Sequence, residues 1–427
     1  MANWQRRGVA KIMAGHMKIL VGCSSPPDHG AGILTYAKEL SESFLQLGME
    51  VHFVSPPPKD WEWIRLHGIH HFSTTQDDDP VVAARQLVGY VSECQIDAVI
   101  NNDNSLVQSI SPAIPCPFVA VGHLGRTSIA ALACFQPQWS DYIVAISNDM
   151  QRLYVTKHGV PLVKCPIIYN GIKDLGHDGN YSRRDSAALR VVYAGGYNRR
   201  LKGADLVLAA VRRSTAEWAG IRLDWYGGIP KKVARGLENL AHVRVHGRVP
   251  REELLHALRN ADALLFPSRV EGCPMAMLEA MSLGVVPIAS DGEGAMRYLI
   301  TTGREGFACH LSQAATQILE CLAHLRDQPG VLEEMKRAAR VRFLHEFQCK
   351  RVADDLICLI RHPTIDRRHP PMRIKVLRWH RPLRPDGQKA PVVDRLFCRL
   401  GLLRHAGVLD LGNFTIAGNR CNDREMQ

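Results

Sequence analysis

Two successive series of apolar strand-like runs, each alternating with helical runs, constrain the fold of this chain more than any other feature. The first series reads MKILVG (17–22), MEVHFVS (49–55), DAVINN (97–102), PFVAVGH (117–123) and YIVAIS (142–147). Helical runs such as ILTYAKELSESFLQLG and PVVAARQLVGYVSEC separate its early members. The pattern restarts with RVVYAGG (190–196), IRLDWYG (221–227), HVRVHG (242–247), ALLFPS (263–268) and VVPIA (285–289), with ADLVLAAVRRS and REELLHALRNA as helices between them. Unbroken apolar strands suit a sheet covered on both faces, and regular strand–helix alternation makes that sheet parallel. The reading is therefore α/β, with two doubly wound parallel-sheet domains. Its boundaries are a 1–16 extension, a first domain at 17–173, a linker at 174–189, and a second domain at 190–345. A closing helix at 346–362 (around VRFLHEFQCKRVADDLICLI) is placed to pack back on the first domain, and a basic tail of unread fold fills 363–427. Ligands of open α/β sheets bind beyond the carboxyl ends of the strands, so two such domains place a site in the cleft between them.

Composition narrows the class. Hydrophobic content of 46% and charged content of 22% are ordinary for a globular protein. No apolar run reaches the ~18 residues of a membrane span, and the first 16 residues lack the apolar stretch of a secretion signal. The start MKILVGCSS at Met17 reads as the first strand, with 1–16 an extension or an upstream start. The 12 cysteines are scattered without C-x-x-C spacing, which implies a reducing cytosol, no disulfide framework and no zinc site. The net charge of +11 is concentrated: residues 361–427 carry 14 Lys+Arg against 6 Asp+Glu. The bland reading is a solvated tail, and the sharper one an anionic membrane surface as partner. In the second reading VVDRLFCRLGLLRHAGVL forms a basic amphipathic helix. Sparse aromatic interleaving argues against nucleic acid.

The segment PSRVEGCPMAMLEAMSLGVVPIAS (267–290) concentrates the chemistry. Glu271 precedes a loop of Gly272, Cys273 and Pro274, and Glu279 sits on the apolar helix that begins near Met275, with Pro274 suited to its first position. A helix N-terminus presents free N–H groups and a positive dipole end, which suit phosphate, and paired carboxylates suit sugar or ribose hydroxyls. The plain alternative is carboxylates that only favour the helix dipole. Lys202, Arg199 and Arg200 lie in the loop after RVVYAGG, whose last glycine is Gly196. A basic cluster opening a helix suits a diphosphate, although the P-loop pattern is absent. Gly30-Ala31-Gly32 follows the first strand and either turns the chain or lets backbone approach a ligand. His123 ends a strand and points toward the cleft, where most lone histidines are structural. Asp77-Asp78-Asp79 before Pro80 reads as a helix N-cap, and His67, His70 and His71 read as structural.

In order along the chain, HGAG, VGHLG, SDYIVAISNDM, IIYNGI, GGYNRRLKGADLVLAA, VRVHGRVPREELLHALRNADALLFPS, EGCPMAMLEAMSLGVVPIAS and GREGFA resemble the family 4 (group 1) retaining glycosyltransferases of GT-B fold, over about residues 17–360. The resemblance implies two Rossmann-like domains facing across a cleft. It implies a nucleotide-diphosphate sugar as donor substrate, no cofactor, no metal, and a glycan or lipid-linked acceptor. By that resemblance Glu279 binds the ribose and Glu271 the donor sugar. The amides of Cys273 and Met275 with Lys202 and an arginine hold the diphosphate. His123 and the Gly30–Gly32 loop lie near the reacting carbon, and Asn170-Gly171 marks the interdomain turn. Three positions depart from the family pattern: Tyr197 stands where Arg is usual, Pro274 where Gly is common, and Arg297 where Glu is common. The function implied is sugar transfer in surface polysaccharide, lipopolysaccharide or glycolipid synthesis, and the basic tail adds the cytoplasmic face of the membrane as its place. A catalytically silent nucleotide-sugar-binding protein and a sugar-nucleotide epimerase are the alternatives.

Overall fold

The structure, a computed structural model, describes residues 17–25, 32–74, 79–123, 127–182, 188–199, 201–213, 215–367, 371, 373–377 and 405–410. The first half runs β1 (Lys18–Cys23), α1 (Gly32–Gln46), β2 (Glu50–Ser55), α2 (Glu62–Leu66), β3 (His70–Ser73), α3 (Pro80–Glu93), β4 (Ala98–Asn102), α4 (Ser105–Ser109), β5 (Phe118–Gly122), α5 (Thr127–Ala133), β6 (Tyr142–Ala145) and α6 (Asn148–His158). The second runs β7 (Leu189–Tyr193), α7 (Ala204–Val211), β8 (Ile221–Tyr226), α8 (Lys231–Glu238), β9 (Val243–Gly247), α9 (Arg251–Arg259), β10 (Ala263–Phe266), α10 (Met275–Ser282), β11 (Val286–Ser290), α11 (Met296–Leu299), β12 (Phe307–Cys309) and α12 (Ala314–Asp327).

Each half holds a six-stranded sheet, ordered β3-β2-β1-β4-β5-β6 and β12-β11-β10-β7-β8-β9, with parallel pairing throughout. Strand order reverses beside β1 in the first sheet and beside β7 in the second, which puts a topological switch point at the carboxyl ends of β1/β4 and β7/β10. The alternation of strand side chains divides the interior. On β10, Ala263 and Leu265 belong to a core shared with Trp218, Trp225 and Leu322. Leu264 and Phe266 join a larger core that also takes in the first sheet, Met277 and Met281 of α10, and Leu356. The two halves thus share buried apolar surface.

Local chemistry sets the helix starts. Leu34, Ala37, Leu40 and Phe44 form the buried stripe of α1. The Asp79 carboxylate accepts from the amides of Val81 and Val82, with Pro80 opening α3. Asp77 and Asp78 lie outside the described residues. Asn104 caps α4 and Ser147 caps α6.

The closing helix expected at 346–362 is α14 (Cys349–Arg361), and a separate helix α13 (Pro329–Glu346) precedes it; the run VRFLHEFQCKRVADDLICLI is broken between them at Phe347-Gln348. The break is tertiary in origin: the Ile172 amide donates to Phe347 O at 3.0 Å and the Cys349 amide donates to Ile172 O at 2.9 Å, so the interdomain crossing strand docks into the gap. Beyond it, α14 packs on α1 and β5. The tail differs from the sequence reading. His405 to Leu409, read as the end of an amphipathic helix, lie in strand β14 (His405–Asp410), paired antiparallel with β13 (Arg373–Leu377) and laid against α3. Cross-strand pairing gives the Val376 and Leu409 side chains a buried face that a solvated helix would not. The side chain of Arg367, counted among the basic residues of the tail, is only 8% exposed. Its guanidinium donates to Ser111 O, Ile114 O, Trp139 O and Asp141 Oδ2 at 3.0, 3.1, 2.7 and 2.8 Å.

Candidate active site

The loop after β7 is drawn against the end of β10. Tyr193 Oη lies 3.0 Å from Gly196 O and 3.2 Å from Lys202 O, and Asn198 Oδ1 accepts from the Leu201 amide. Gly203 has φ +66°, and a Cβ there would lie 1.9 Å from Pro267 O, so only glycine lets the loop close on β10. Arg269 clamps the same loop, donating to both Asp205 carboxylate oxygens at 2.9 and 2.8 Å and to Arg199 O at 2.6 Å. The outcome is a Lys202 Nζ–Glu271 Oε1 salt bridge of 2.6 Å across 69 residues of sequence. Tyr197 packs against the second-domain core. The Arg199 side chain is exposed, and Arg200 lies outside the described residues.

Helix α10 begins at Met275, as the sequence suggests, but Pro274 lies just before it rather than at its first helical position. Pro274 is its N-cap, with φ −75° and ψ 109°, and Met275 opens the first turn. The reason is the extended ψ of Pro274, which precedes helical geometry rather than joining it. Glu279 is buried on the inner face, where the Arg251 guanidinium donates to its Oε1 from Nε at 2.9 Å and from Nη2 at 2.6 Å. The same Nη2 reaches Glu39 Oε1 of α1 at 3.2 Å, and Glu39 Oε2 accepts from the Lys173 amide at 2.6 Å. Burial raises the pKa of both carboxyls; Arg251 opposes the rise at Glu279, and the Lys173 amide with Arg251 opposes it at Glu39.

The first half closes on this segment. A Cβ on Gly272 would lie 2.1 Å from His123 O, so glycine permits backbone-to-backbone approach of the two halves. A Cβ on Gly32 would lie 3.5 Å from Met275 Cγ, which places the end of the first glycine loop beside α10. Gly30 and Ala31 lie outside the described residues. Asn170 Nδ2 donates to Cys273 O at 3.3 Å. Asp149 accepts from the Gly294 amide at 3.0 Å and from Arg297 at 2.8 Å. Arg297, where the family pattern has an acid, thus serves an interdomain ion pair.

His123 is buried, with Nε2 3.1 Å from Asn102 Oδ1 and its ring 4.8 Å from that of Tyr36. Burial pushes its pKa down to about 3, so it is neutral at pH 7. In this arrangement Nε2–H donates to Asn102, leaving Nδ1 as the basic nitrogen. Asn102 Nδ2 and Asn170 Oδ1 are buried without hydrogen-bond partners among the described residues, and buried polar atoms of that kind call for an explanation. Cys273 is buried with its thiol pushed up to about 12 by burial, which makes it inert packing rather than a nucleophile.

Comparison with known proteins agrees with the two-domain fold. The Glycosyltransferase Family 4 model matches residues 30–174, and the Glycosyl transferases group 1 model matches residues 188–327. The chain belongs to the group 1, family 4 glycosyltransferases. Glycogen synthase of Mycobacterium tuberculosis is 25% identical over 240 residues, 54% of this chain and 56% of that protein. The chain therefore spans little more than half the length of this curated relative. Among solved structures, Anabaena HepE in complex with UDP-glucose superposes with a TM-score of 0.65 at 14% identity, covering 81% of this chain and 100% of that one. The lipopolysaccharide outer core galactosyltransferase WaaB gives 0.62 at 17% identity, covering 81% and 99%. Both likenesses show the GT-B fold.

In this glycosyltransferase the structure brings Lys202, Glu271, Gly272, Cys273, Pro274, Met275 and Glu279 together on one side of the cleft and His123 and Gly32 on the other. Gly196 shapes the Lys202 loop, its amide donating to Tyr226 O at 3.2 Å. The sequence reading missed Arg251, Glu39, Arg269 and Asp205. Arg251 and Glu39 are 212 residues apart, and no local pattern marks either. Asp205 in the first turn of α7 carried a weak signal, as an acid at a helix start.

Proposed function

We propose that this glycosyltransferase moves a sugar from a nucleotide-diphosphate sugar to a glycan or lipid-linked acceptor, with retention of anomeric configuration and without a metal ion or other cofactor. The observation that carries the reading is the Lys202–Glu271 salt bridge beside the N-terminus of α10, with Glu279 buried on the same helix. The second domain holds the donor and the first receives the acceptor. Lys202 and the free amides at the start of α10 meet the diphosphate, and they stabilise the negative charge that grows on the leaving oxygen. Fixed cation and dipole supply what a divalent ion supplies elsewhere. Glu279, oriented by Arg251, accepts from the ribose hydroxyls. Glu271 moves from Lys202 to the hydroxyls of the donor sugar as the diphosphate takes its place on the ammonium.

Neutral His123 and Asn102 Nδ2 face the sugar from the first domain. The acceptor enters on the same face as the leaving group, and the departing phosphate takes its proton. Two relatives inform the substrate class: HepE was solved with UDP-glucose, and WaaB is a lipopolysaccharide galactosyltransferase. A surface polysaccharide, lipopolysaccharide or glycolipid setting follows for this chain, with the basic tail beyond Arg367 meeting anionic lipid. No helix among the described residues is long and apolar enough to cross a membrane. The test is proton NMR of the first-formed product from an α-linked donor, with and without chelator. An α-linked product at an unchanged rate supports the reading; a β-linked product or loss of rate with chelator overturns it.

A further inference from the structure

A cluster of metal-ligating side chains lies at the amino ends of β2 and β3, the end of the first sheet away from the cleft. His52 and His70 are direct partners in the parallel ladder, and Glu50 is two residues before His52, on the same face of β2. Glu50 Oε1 is 2.9 Å from His52 Nε2 and 3.3 Å from His70 Nε2. The three ligand atoms all lie within 4.8 Å of one another. The two imidazole rings stack 4.6 Å apart at 17°. Tyr90 of α3 holds His52 from behind, its Oη 2.7 Å from Nδ1, which aims Nε2 at the cluster. The His52 side chain is 2% exposed and that of His70 is 55% exposed, so one wall is fixed and the other opens to solvent. The neighbouring cation, Lys18, is 3.9 Å from Glu50 Oε1 and donates to Cys94 O at 3.1 Å.

We infer that Glu50, His52 and His70 form a binding site for a divalent transition metal of the zinc class. Two imidazoles and one carboxylate favour zinc, nickel or cobalt over magnesium or calcium, which prefer all-oxygen sets. Tetrahedral zinc with bonds of roughly 2.0–2.2 Å sets ligand atoms about 3.3 Å apart. The two carboxylate–imidazole distances, 2.9 and 3.3 Å, already lie at or just below that figure, and rotation of the exposed His70 ring closes the third. Water completes the coordination. The adjacent histidines take no part: His71 turns to Ser55 Oγ at 2.9 Å, and His67 Nδ1 pairs with Trp63 O at 2.9 Å. The bound ion staples the edge strand β3 to β2, and by mass action it stabilises the native state without entering the transfer reaction.

The experiment uses the full chain, stripped with chelator and kept reduced, titrated with Zn²⁺ and Ni²⁺ by calorimetry and thermal unfolding. Wild type is expected to bind one equivalent whose affinity falls at least about tenfold in His70→Ala and in Glu50→Gln. The metal-induced rise in Tm falls with it. Both substituted side chains are solvent-accessible, and circular dichroism checks their fold. Equal binding in wild type and both variants assigns the ions to cysteines or to other histidines and overturns the site. So does an absence of binding at about 1 mM metal, a concentration equivalent to roughly 4 kcal/mol of affinity.

Discussion

Substituting Gly272 by alanine tests whether the donor segment is seated against the first domain. The added Cβ would lie 2.1 Å from His123 O and 2.9 Å from Ile146 Cδ1. An ordinary carbon–oxygen contact is above about 3 Å, so the segment must retreat by roughly 1 Å. The obstacle is backbone at the end of the central strand β5, which cannot give way as a side-chain tip would. Glu271 is the adjacent residue and is tied to Lys202, so both move with it. Misplacement of this size at a reacting centre lowers rate by up to about 10²-fold, equal to about 2.7 kcal/mol in the barrier. Overpacking costs about 1–3 kcal/mol of stability, a fall in Tm of a few degrees for domains of this size. The assay is nucleoside diphosphate release under kcat/KM conditions, paired with a thermal melt. A Gly272→Ala enzyme within twofold of wild type and unchanged in Tm would refute the seating.

Lys202→Ala and Glu271→Ala are each expected to lower turnover by about 10²-fold or more while shifting stability by less than about 1 kcal/mol, since their salt bridge is partly exposed; kinetics and melts on the same samples check this. Arg251→Ala leaves Glu279 buried without its cation, and is expected to destabilise by about 1–3 kcal/mol after allowance for the half-exposed guanidinium. Adding Glu279→Gln should recover part of that loss, which a double-mutant cycle in urea measures. Acid stability depends on His123, whose folded pKa of about 3 lies below the unfolded value near 6.5. The unfolded chain then binds more protons, so stability contributed by neutral His123 is present above about pH 6.5 and is lost as pH falls toward 3. A His123→Gln variant should show a shallower loss of Tm across that window. Arg367→Ala strips a buried guanidinium from three carbonyls and Asp141, with an expected loss of about 3–5 kcal/mol by denaturant titration.

The central strands were legible in sequence because burial on both faces makes them continuous apolar runs, as in FVAVG of β5 and ALLF of β10. Two of the edge strands were not, although the edge strands β6 and β9 were. HHFS of β3 and FAC of β12 pair on one side only and carry no such run. Phe347-Gln348 breaks a helix without glycine or proline because the partner, Ile172, arrives from elsewhere in the chain. The same distinction holds at the site. Glu271, Glu279 and Lys202 sit in local patterns of loop and helix start, whereas Arg251 and Glu39 meet only when the two halves close. The Glu50, His52 and His70 cluster was hidden for a related reason. The eye takes the run of His67, His70 and His71 along the sequence, while the strand ladder pairs His70 with His52 and turns its neighbours away.

The most direct test of the account is release of nucleoside diphosphate from a panel of common sugar nucleotides by the full chain, supplied with lipid and glycan extracts as acceptor. Acceptor-dependent release from at least one donor is expected, lowered about 10²-fold or more by Lys202→Ala and by Glu271→Ala in protein that remains folded. Release from none of the donors would contradict the account, as would release that both variants retain in full.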